Sequence, residues 1–145
     1  IRDSIEASQA GVYIDMVVRG ICCLRAGVPD ETENIHIISI VGRYLEHSRI
    51  YIFGQGERAR YYIGSADWMT RSTLRRVEIA APVTAPALKA RLQHIFDTML
   101  ADNCNARVQQ PDGSYVRRMP GADAVDCQAQ FYEEAYQANV HSSLK

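Results

Sequence analysis

The apolar and polar positions at the start of the chain predict one helix followed by two strands. Residues 1–10 have helical spacing, and Gly11 suits the position after a helix end because glycine adopts a positive φ without strain. The segment "VYIDMVV" (12–18) is rich in β-branched residues and predicts a strand, which "ICCL" (21–24) could prolong. The segment "IHIISIV" (35–41) is almost continuously apolar, so we expect a second strand that is buried on both faces.

The middle of the chain predicts a hairpin and a further strand. The segments "SRIYIF" (48–53) and "RYYIGSADW" (60–68) flank the glycine-containing stretch "GQGERA", which is the pattern of a hairpin turn. A short irregular link, "GRYLEH" (42–47), precedes them. The segment "RRVEIAAPV" (75–83) predicts another strand.

From Thr84 onward the period of the pattern changes to that of a helix. Thr84 can serve as the N-cap, and Pro86 is tolerated in the first turn. An apolar stripe then follows one helix face: Leu88, Leu92, Ile95, Phe96 and Met99. Beyond this helix, "ARVQQPDGSYVRRMP" (106–120) predicts a hairpin, and "DAVDCQAQFYEEAYQANV" (123–140) predicts a closing helix. The order of helices and strands predicts an α/β fold.

The composition is that of an ordinary globular domain. The 145 residues, of which 47% are hydrophobic and 23% charged, suffice for one domain with a real core. The net charge of −1 gives no bulk attraction to nucleic acid, which we do not expect as a partner. The four cysteines (Cys22, Cys23, Cys104 and Cys127) form neither a disulfide framework nor a zinc motif, so we expect reduced thiols in a cytosolic protein. The chain begins with Ile1 inside a helical pattern, and we expect it to be a piece of a larger protein.

The basic residues are almost all arginine. Of the 16 Lys and Arg residues, all but Lys89 and Lys145 are Arg, the side chain suited to forked recognition of phosphate, although GC-rich coding produces the same bias. Residues 40–80 carry more Arg than Asp and Glu, which favours either polyanion binding or a charge-protected edge strand. Arg19 follows a predicted strand and precedes Gly20, at the kind of strand end where ligands gather in open α/β sheets.

The segment around His47 carries the most suggestive chemistry. His47 and Arg49 are two residues apart, so in an extended segment their side chains point to the same face, near Ser65 or Asp67 of the partner strand. Arginine offers charge and a fork of donors, and histidine can hold or deliver a proton or attack phosphorus. These residues could form a phosphate site, but from the short motif "HSR" alone an ordinary polar role is the stronger interpretation.

Two long segments resemble a known family. In order, "VVRGICCLRAGVPDETENIHIISIVGRYLEHSRIYIFGQG" and "YYIGSADWMTRSTLRRVEIAAPV" closely resemble the C-terminal region of type 1 polyphosphate kinases, and the resemblance runs from about residue 5 to residue 100. The tail segment "QPDGSYVRR" also looks like the end of these enzymes. The chain is therefore identified as a member of this family.

The resemblance implies a fold and an activity. The fold would be an α/β, phospholipase D-like mixed sheet flanked by helices, with a C-terminal hairpin and helix. The chain looks like the second of two related domains, with residues 1–103 as its main part and residues 104–145 as that hairpin and helix. The family transfers the γ-phosphate of ATP, reversibly, to inorganic polyphosphate through a phosphohistidine. That histidine belongs to the first domain, which is absent here, so we expect this chain to be inactive alone.

The resemblance also implies site residues and partners. Arg19 and His47 match second-domain residues that bind nucleotide or phosphate, and His47 is placed to assist catalysis as a proton donor. Arg49, Ser65 and Arg71 complete the expected ATP and polyphosphate site. The family uses Mg²⁺, whose ligands are not expected in this chain. The expected partners are ATP, polyphosphate, the missing domains and further copies in a homo-oligomer, in the cytoplasm with peripheral membrane association left open.

The chain departs from the phospholipase D signature, HxKxxxxD followed by a GSxxN-like turn. Here Arg49 stands in the basic position, Gly54 stands where the signature has Asp, and Asp67 stands where Asn would be expected. Arg49 still supplies the positive charge that a phosphoryl oxygen needs, but phosphodiesterase activity is put in doubt. Two alternatives remain open: half of a phospholipase D-like phosphodiesterase acting as a homodimer, and a non-catalytic oligomerisation module.

Overall fold

The computed structural model describes the backbone of residues 1–142 and all side chains in that range except those of Thr70, Arg71, Thr73, His141 and Ser142. In chain order the elements are α1 (Arg2–Gln9), β1 (Ile14–Val17), β2 (Ile35–Ile40), β3 (Ile50–Phe53), a 3-10 turn (Gly56–Arg58), β4 (Arg60–Gly64), α2 (Thr70–Arg75), β5 (Ala80–Val83), α3 (Pro86–Ala101), β6 (Ala106–Gln109), β7 (Tyr115–Arg117) and α4 (Cys127–Ser142). The chain divides into two compact units. Unit 1 comprises Ile1–Glu46 and the chain from Thr98 onward, and unit 2 comprises His47–Asp97.

Unit 1 is built on a mixed sheet of four strands in the order β1-β2-β6-β7. Strand β2 runs parallel to β1, with Ile14 opposite Ile35, and antiparallel to β6, with Ile38 opposite Val108. Strand β7 returns antiparallel beside β6 and completes the C-terminal hairpin. The α/β class, the mixed sheet, and the C-terminal hairpin and helix are thus confirmed.

The core of unit 1 lies around β2. Its buried members are Leu24, Ala26, Ile35 and Ile37, and they pack against the partly buried Ile5, Ile14, Met16, Val18 and Cys22. The expectation that β2 is buried on both faces holds for its isoleucines but is wrong for His36, which is exposed. The His36 ring lies 4.8 Å from the ring of Tyr13, so this histidine belongs to the rim of the unit.

Unit 2 contains a separate antiparallel sheet in the order β3-β4-β5. The predicted hairpin is present, with Ile50 opposite Ile63. Helix α3 contacts β4 through Tyr61, whose hydroxyl donates to Gln93 Oε1 at 2.7 Å, while Lys89 Nζ lies 5.8 Å from the centre of the tyrosine ring. Helix α3 begins at Pro86, two residues after the predicted cap Thr84.

The predicted strand over 75–83 is wrong in its first half. Arg75 ends the short helix α2, and β5 begins only at Ala80, which lies opposite Gly64, the last residue of β4. The first half of the predicted strand is largely exposed, and Val77 within it is 99% exposed. Because β4 ends at Gly64, no partner strand is available for the residues before Ala80. The proposed extension of β1 by 21–24 is not a strand either.

A buried carboxylate ties the C-terminal elements of unit 1 together. Asp102 follows α3 directly and is completely buried. Its Oδ1 accepts the N–H groups of Cys104 at 3.1 Å, Asn105 at 2.7 Å and Ala106 at 3.0 Å, and its Oδ2 accepts the N–H of Cys127 at 3.0 Å. Burial raises the pKa of the Asp102 carboxyl, but the N–H donors, above all those of Cys127 and Asn105, outweigh burial and hold the pKa below its usual value. Asp102 thereby fixes where β6 and α4 begin.

None of the helices formed by the described residues has the length and the apolar character that crossing a membrane requires. The boundary predicted near residue 103 between a main part and a C-terminal part of the domain stays a prediction.

Candidate functional site

His47 and Arg49 are in direct contact in unit 2. His47 precedes β3, and its exposed ring faces the guanidinium of Arg49, with Nη1 3.3 Å from Nδ1 and Nη2 3.2 Å from Nε2. Arg49 Nη1 also donates to the carbonyl oxygen of His47 at 3.2 Å. The two side chains are thus on the same side of the segment that leads into β3, as the sequence predicts.

Asp67 holds Arg49 from the other side. Both Nε and Nη2 of Arg49 lie 3.0 Å from Asp67 Oδ1, and the two side chains are 17% and 33% exposed. The pairing of β3 with β4 brings the two residues together, because the N–H of Gly64 donates to the carbonyl of Arg49 at 3.0 Å and Asp67 follows three residues later. The structure therefore joins His47, Arg49 and Asp67 into one chain of polar contacts.

Tyr51 supports the turn that carries Asp67, and the sequence analysis missed this residue. Its hydroxyl donates to the carbonyl of Ala66 at 2.9 Å, and its ring stacks against Trp68 with centroids 5.9 Å apart. A Cβ at Gly64 would lie only 3.0 Å from the Tyr51 ring, so glycine leaves room for that ring. The signal in the sequence is the position of Tyr51, two residues beyond Arg49 on the same strand face.

Ser65 directly follows β4, and its hydroxyl forms two hydrogen bonds. Its hydroxyl donates to the carboxylate of Glu78 and accepts the N–H of Ile79 at 3.0 Å. These bonds connect the end of β4 to the segment that leads into β5. Arg71 belongs to α2, and its side chain lies outside the described residues.

Arg19 belongs to unit 1, whereas His47 opens unit 2. The Arg19 side chain is exposed, and its Nη1 donates to the carbonyl oxygen of Glu46, the residue immediately before His47. A Cβ at Gly20 would meet no atom within 4 Å, so the surface beside Arg19 is open at this glycine. Ser39 Oγ donates to the backbone carbonyl of Arg19 at 3.4 Å and supports its position after β1.

The described residues do not provide a metal centre. Among them, no group of three or more His, Cys, Asp and Glu side chains is placed to hold a metal ion. The two carboxylates of the turn region are engaged, Asp67 with Arg49 and Glu78 with Ser65. These two carboxylates are therefore not available as magnesium ligands in this arrangement, and Mg²⁺ stays an expectation.

Comparisons with known proteins agree on one family. The family model described as "Polyphosphate kinase C-terminal domain 2" matches residues 1–130. A polyphosphate kinase of Synechocystis sp. is 57% identical over 122 residues, which are 84% of this chain and 17% of the relative. A polyphosphate kinase of Bacillus anthracis is 48% identical over 138 residues, which are 94% of this chain and 20% of the relative.

A solved structure of a polyphosphate kinase is also similar to this chain. The crystal structure of polyphosphate kinase from Porphyromonas gingivalis matches with a TM-score of 0.87 at 36% identity, over 94% of this chain and 21% of that chain. The chain thus spans only about a fifth of the length of the proteins that it matches. With two motif-bearing segments in the family's order and a model that matches most of its length, this chain belongs to the polyphosphate kinase C-terminal domain 2 family.

Proposed function

We propose that this chain forms one wall of the active site of a polyphosphate kinase, an enzyme that transfers the γ-phosphate of ATP reversibly to inorganic polyphosphate. The observation that carries the proposal is the contact chain of His47, Arg49 and Asp67, in a member of this family. The nucleophilic histidine belongs to another domain of the enzyme, so the chain alone makes no polyphosphate.

In this proposal, Arg49 binds phosphoryl oxygens. Phosphoryl transfer depends on positioning and charge neutralisation more than on covalent help from every residue. A guanidinium has five N–H donors; Asp67 contacts the Nε and Nη2 atoms of Arg49, and the Nη1 and Nη2 atoms also contact His47. The carboxylate therefore orients the fork, and a phosphoryl oxygen would take up donors that face His47 in the free chain. Arg19, which donates to the carbonyl of Glu46, is the proposed phosphate-binding cation of unit 1.

His47 acts as the supporting acid. In the first half of the reaction the bond between the γ-phosphorus and the oxygen that joins it to the β-phosphate breaks, and a bond from phosphorus to the distant histidine forms. In the second half that bond breaks, and phosphorus is bonded to the terminal oxygen of polyphosphate. His47 gives a proton to the departing oxygen in the first half and takes one from the attacking phosphate in the second, so it returns to its starting state.

The remaining parts of the proposal concern partners. They are ATP, polyphosphate, the other domains of the same enzyme, and further copies in a homo-oligomer, with Mg²⁺ and a phosphohistidine supplied outside this chain. Three apolar residues that are close together in sequence in unit 2, Leu74, Val77 and Ile79, are exposed, which supports the presence of covering domains. A cytoplasmic location with peripheral membrane association also remains a proposal.

Titration of the 145-residue chain with inorganic polyphosphate tests this function. We expect weak binding that falls further with salt, because the contacts are between arginine and phosphate. Arg19→Ala and His47→Ala should each weaken the affinity about tenfold, which is the loss expected for a charge-assisted hydrogen bond.

Two variants serve as matched controls for this titration. Arg2→Ala removes an arginine that pairs with Glu6 at the surface of α1, and His36→Ala removes a histidine at the rim of unit 1. Both should bind polyphosphate like the unsubstituted chain. Equal affinity of all four variants would refute the proposed site. Hydrolysis of a generic phosphodiester that His47→Ala abolishes would instead favour the homodimeric phosphodiesterase.

A further inference from the structure

A buried glutamine at the start of α4 contacts the segment that precedes His47. Gln128 is the second residue of α4, and only 5% of it is exposed. The helix start is fixed by Asp102, whose Oδ2 accepts the N–H of Cys127. Gln128 thus projects from a well-anchored point of the helix. A polar side chain that is this deeply buried must have partners for its amide.

The partners of the Gln128 amide all lie in residues 42–46. Its Oε1 accepts the N–H of Tyr44 at 2.8 Å, and its Nε2 donates to the carbonyl of Tyr44 at 2.8 Å and to the carboxylate of Glu46. Residues 42–46 are in neither a helix nor a strand, so no ladder satisfies the backbone of Tyr44. The amide of Gln128, 84 residues further along the chain, forms these backbone hydrogen bonds instead. The fit is close, since a Cβ at Gly42 would lie 2.5 Å from Gln128 Oε1.

The same segment anchors Arg19. The carbonyl oxygen of Glu46, whose side chain Gln128 holds, accepts the bond from Arg19 Nη1. A free arginine side chain carries considerable rotamer entropy, which ligand binding removes. An arginine that is already held by a fixed carbonyl has less of this entropy to lose when it binds phosphate.

We infer that Gln128 is a positioning residue for phosphate binding: it fixes residues 44–46 and, through the Glu46 carbonyl, the guanidinium of Arg19. The inference rests on the proposed role of Arg19 in polyphosphate binding. It adds a residue of the closing helix, far from the motifs in sequence, to the machinery of the site. Gln128 touches no substrate itself.

A double-mutant cycle in the 145-residue chain tests the inference, with inorganic polyphosphate as the probe. Gln128→Met keeps the volume of the side chain and removes its hydrogen bonds, and it should weaken polyphosphate binding about fivefold. In the Arg19→Ala background the same substitution should cost nothing more, since Gln128 acts through Arg19. Gln130→Met is the matched control, because Gln130 lies two residues further along α4 and its amide donates to Glu134 at the surface. It should change nothing.

If Gln128→Met unfolds the chain, a second experiment tests the inference by exchanging the amide of Gln128 and the carboxylate of Glu46. Gln128→Glu keeps the shape and the acceptor but puts a carboxylate against Glu46, so binding should fall. Adding Glu46→Gln gives that carboxylate a donor again, and part of the lost affinity should return. Losses from Gln128 and Arg19 that simply add, or an exchange without recovery, would overturn the inference while leaving the proposed function intact. An Arg19→Ala variant that binds like the parent would also overturn the inference, and unchanged binding of both Arg19→Ala and His47→Ala would refute the proposed function.

Discussion

Asp67 restricts the orientation of the Arg49 side chain, and it also reduces the positive charge of the site. Its carboxylate binds two nitrogens of the guanidinium, which turns a flexible cation into a fixed fork beside His47. The same carboxylate offsets part of the positive charge that attracts a polyanion. Asp67 therefore favours a fixed orientation of Arg49 but weakens the attraction of the site for a polyanion.

Asp67→Asn separates these two effects. Affinity for polyphosphate at low salt should rise about twofold to threefold, because a negative charge beside Arg49 is lost. In the whole enzyme, kcat should fall about tenfold, because the guanidinium is no longer held in one orientation. Binding titrations and steady-state kinetics measure the two effects. Glu78→Gln, which changes the carboxylate beside Ser65 instead, is the control. An unchanged kcat would contradict the orienting role of Asp67, and a fall in affinity would contradict its effect on the local charge.

At the scale of residues, periodicity was enough to predict that His47 and Arg49 share a face. It also put Asp67 near them, because the hairpin pattern pairs their strands. The residues that hold this site in place were not predictable in the same way. For Tyr51, which fills the space over Gly64, the sequence indicates only that it shares a strand face with Arg49, and Gln128 acts across 84 residues, a relation that leaves no local pattern.

Asp102 acts at the scale of elements, because it joins the end of α3 to the starts of β6 and α4. Its four accepted N–H bonds are made in full burial. The neighbouring thiol of Cys127 is also affected: burial, together with the hydrogen bond to the Asp102 carboxylate, raises its pKa. We therefore expect the C-terminal part of unit 1 to depend on the charge of one carboxylate.

The stability of the chain should respond to acid accordingly. The folded-state pKa of Asp102 is lowered, so its contribution is fully present above the unfolded pKa of about 4 and is lost as the pH falls through the folded value. Asp102→Asn should reduce the free energy of unfolding at pH 7 by about 3 kcal/mol and flatten its decline below about pH 4. Urea unfolding at several pH values measures both.

Asp112→Asn provides a comparison for this experiment. The pKa of Asp112 is also lowered, by its hydrogen bonds with Ser114, but the side chain is exposed in the hairpin turn. Its replacement should leave the stability at pH 7 almost unchanged. If Asp102→Asn were as mild as Asp112→Asn, the joining role of Asp102 would be wrong.

The elements themselves were predictable where burial and periodicity agree. Helix α3 and the strands β2, β3 and β4 follow from their apolar patterns. The strand predicted from Arg75 is wrong in its first half. The sequence of one segment shows only which residues could form a strand, whereas a strand also needs a partner strand to pair with. Strand β4 ends at Gly64, so β5 starts at Ala80 and the exposed Val77 stays outside the sheet.

At the scale of the whole molecule, the candidate residues belong to two units. Unit 1 combines two distant parts of the chain, residues 1–46 and the chain from Thr98 onward, and it contains Arg19, Glu46 and Gln128. Unit 2 contains His47, Arg49 and Asp67. Sequence motifs predicted the family because they are long and ordered. They did not predict this division, since local patterns carry no information on which distant segments pack together.

In the proposed function, His47 supports phosphoryl transfer while the nucleophile lies in another domain. The most direct test is to treat the whole enzyme that carries this chain with ATP labelled in the γ-phosphate and to map the acid-labile phosphate by mass spectrometry. We expect labelled histidine outside residues 1–145, and we expect it to form more slowly in the His47→Ala enzyme, which should also make little polyphosphate. Acid-labile phosphate on His47 itself would show that the nucleophile lies in this chain and would refute the proposed role of His47.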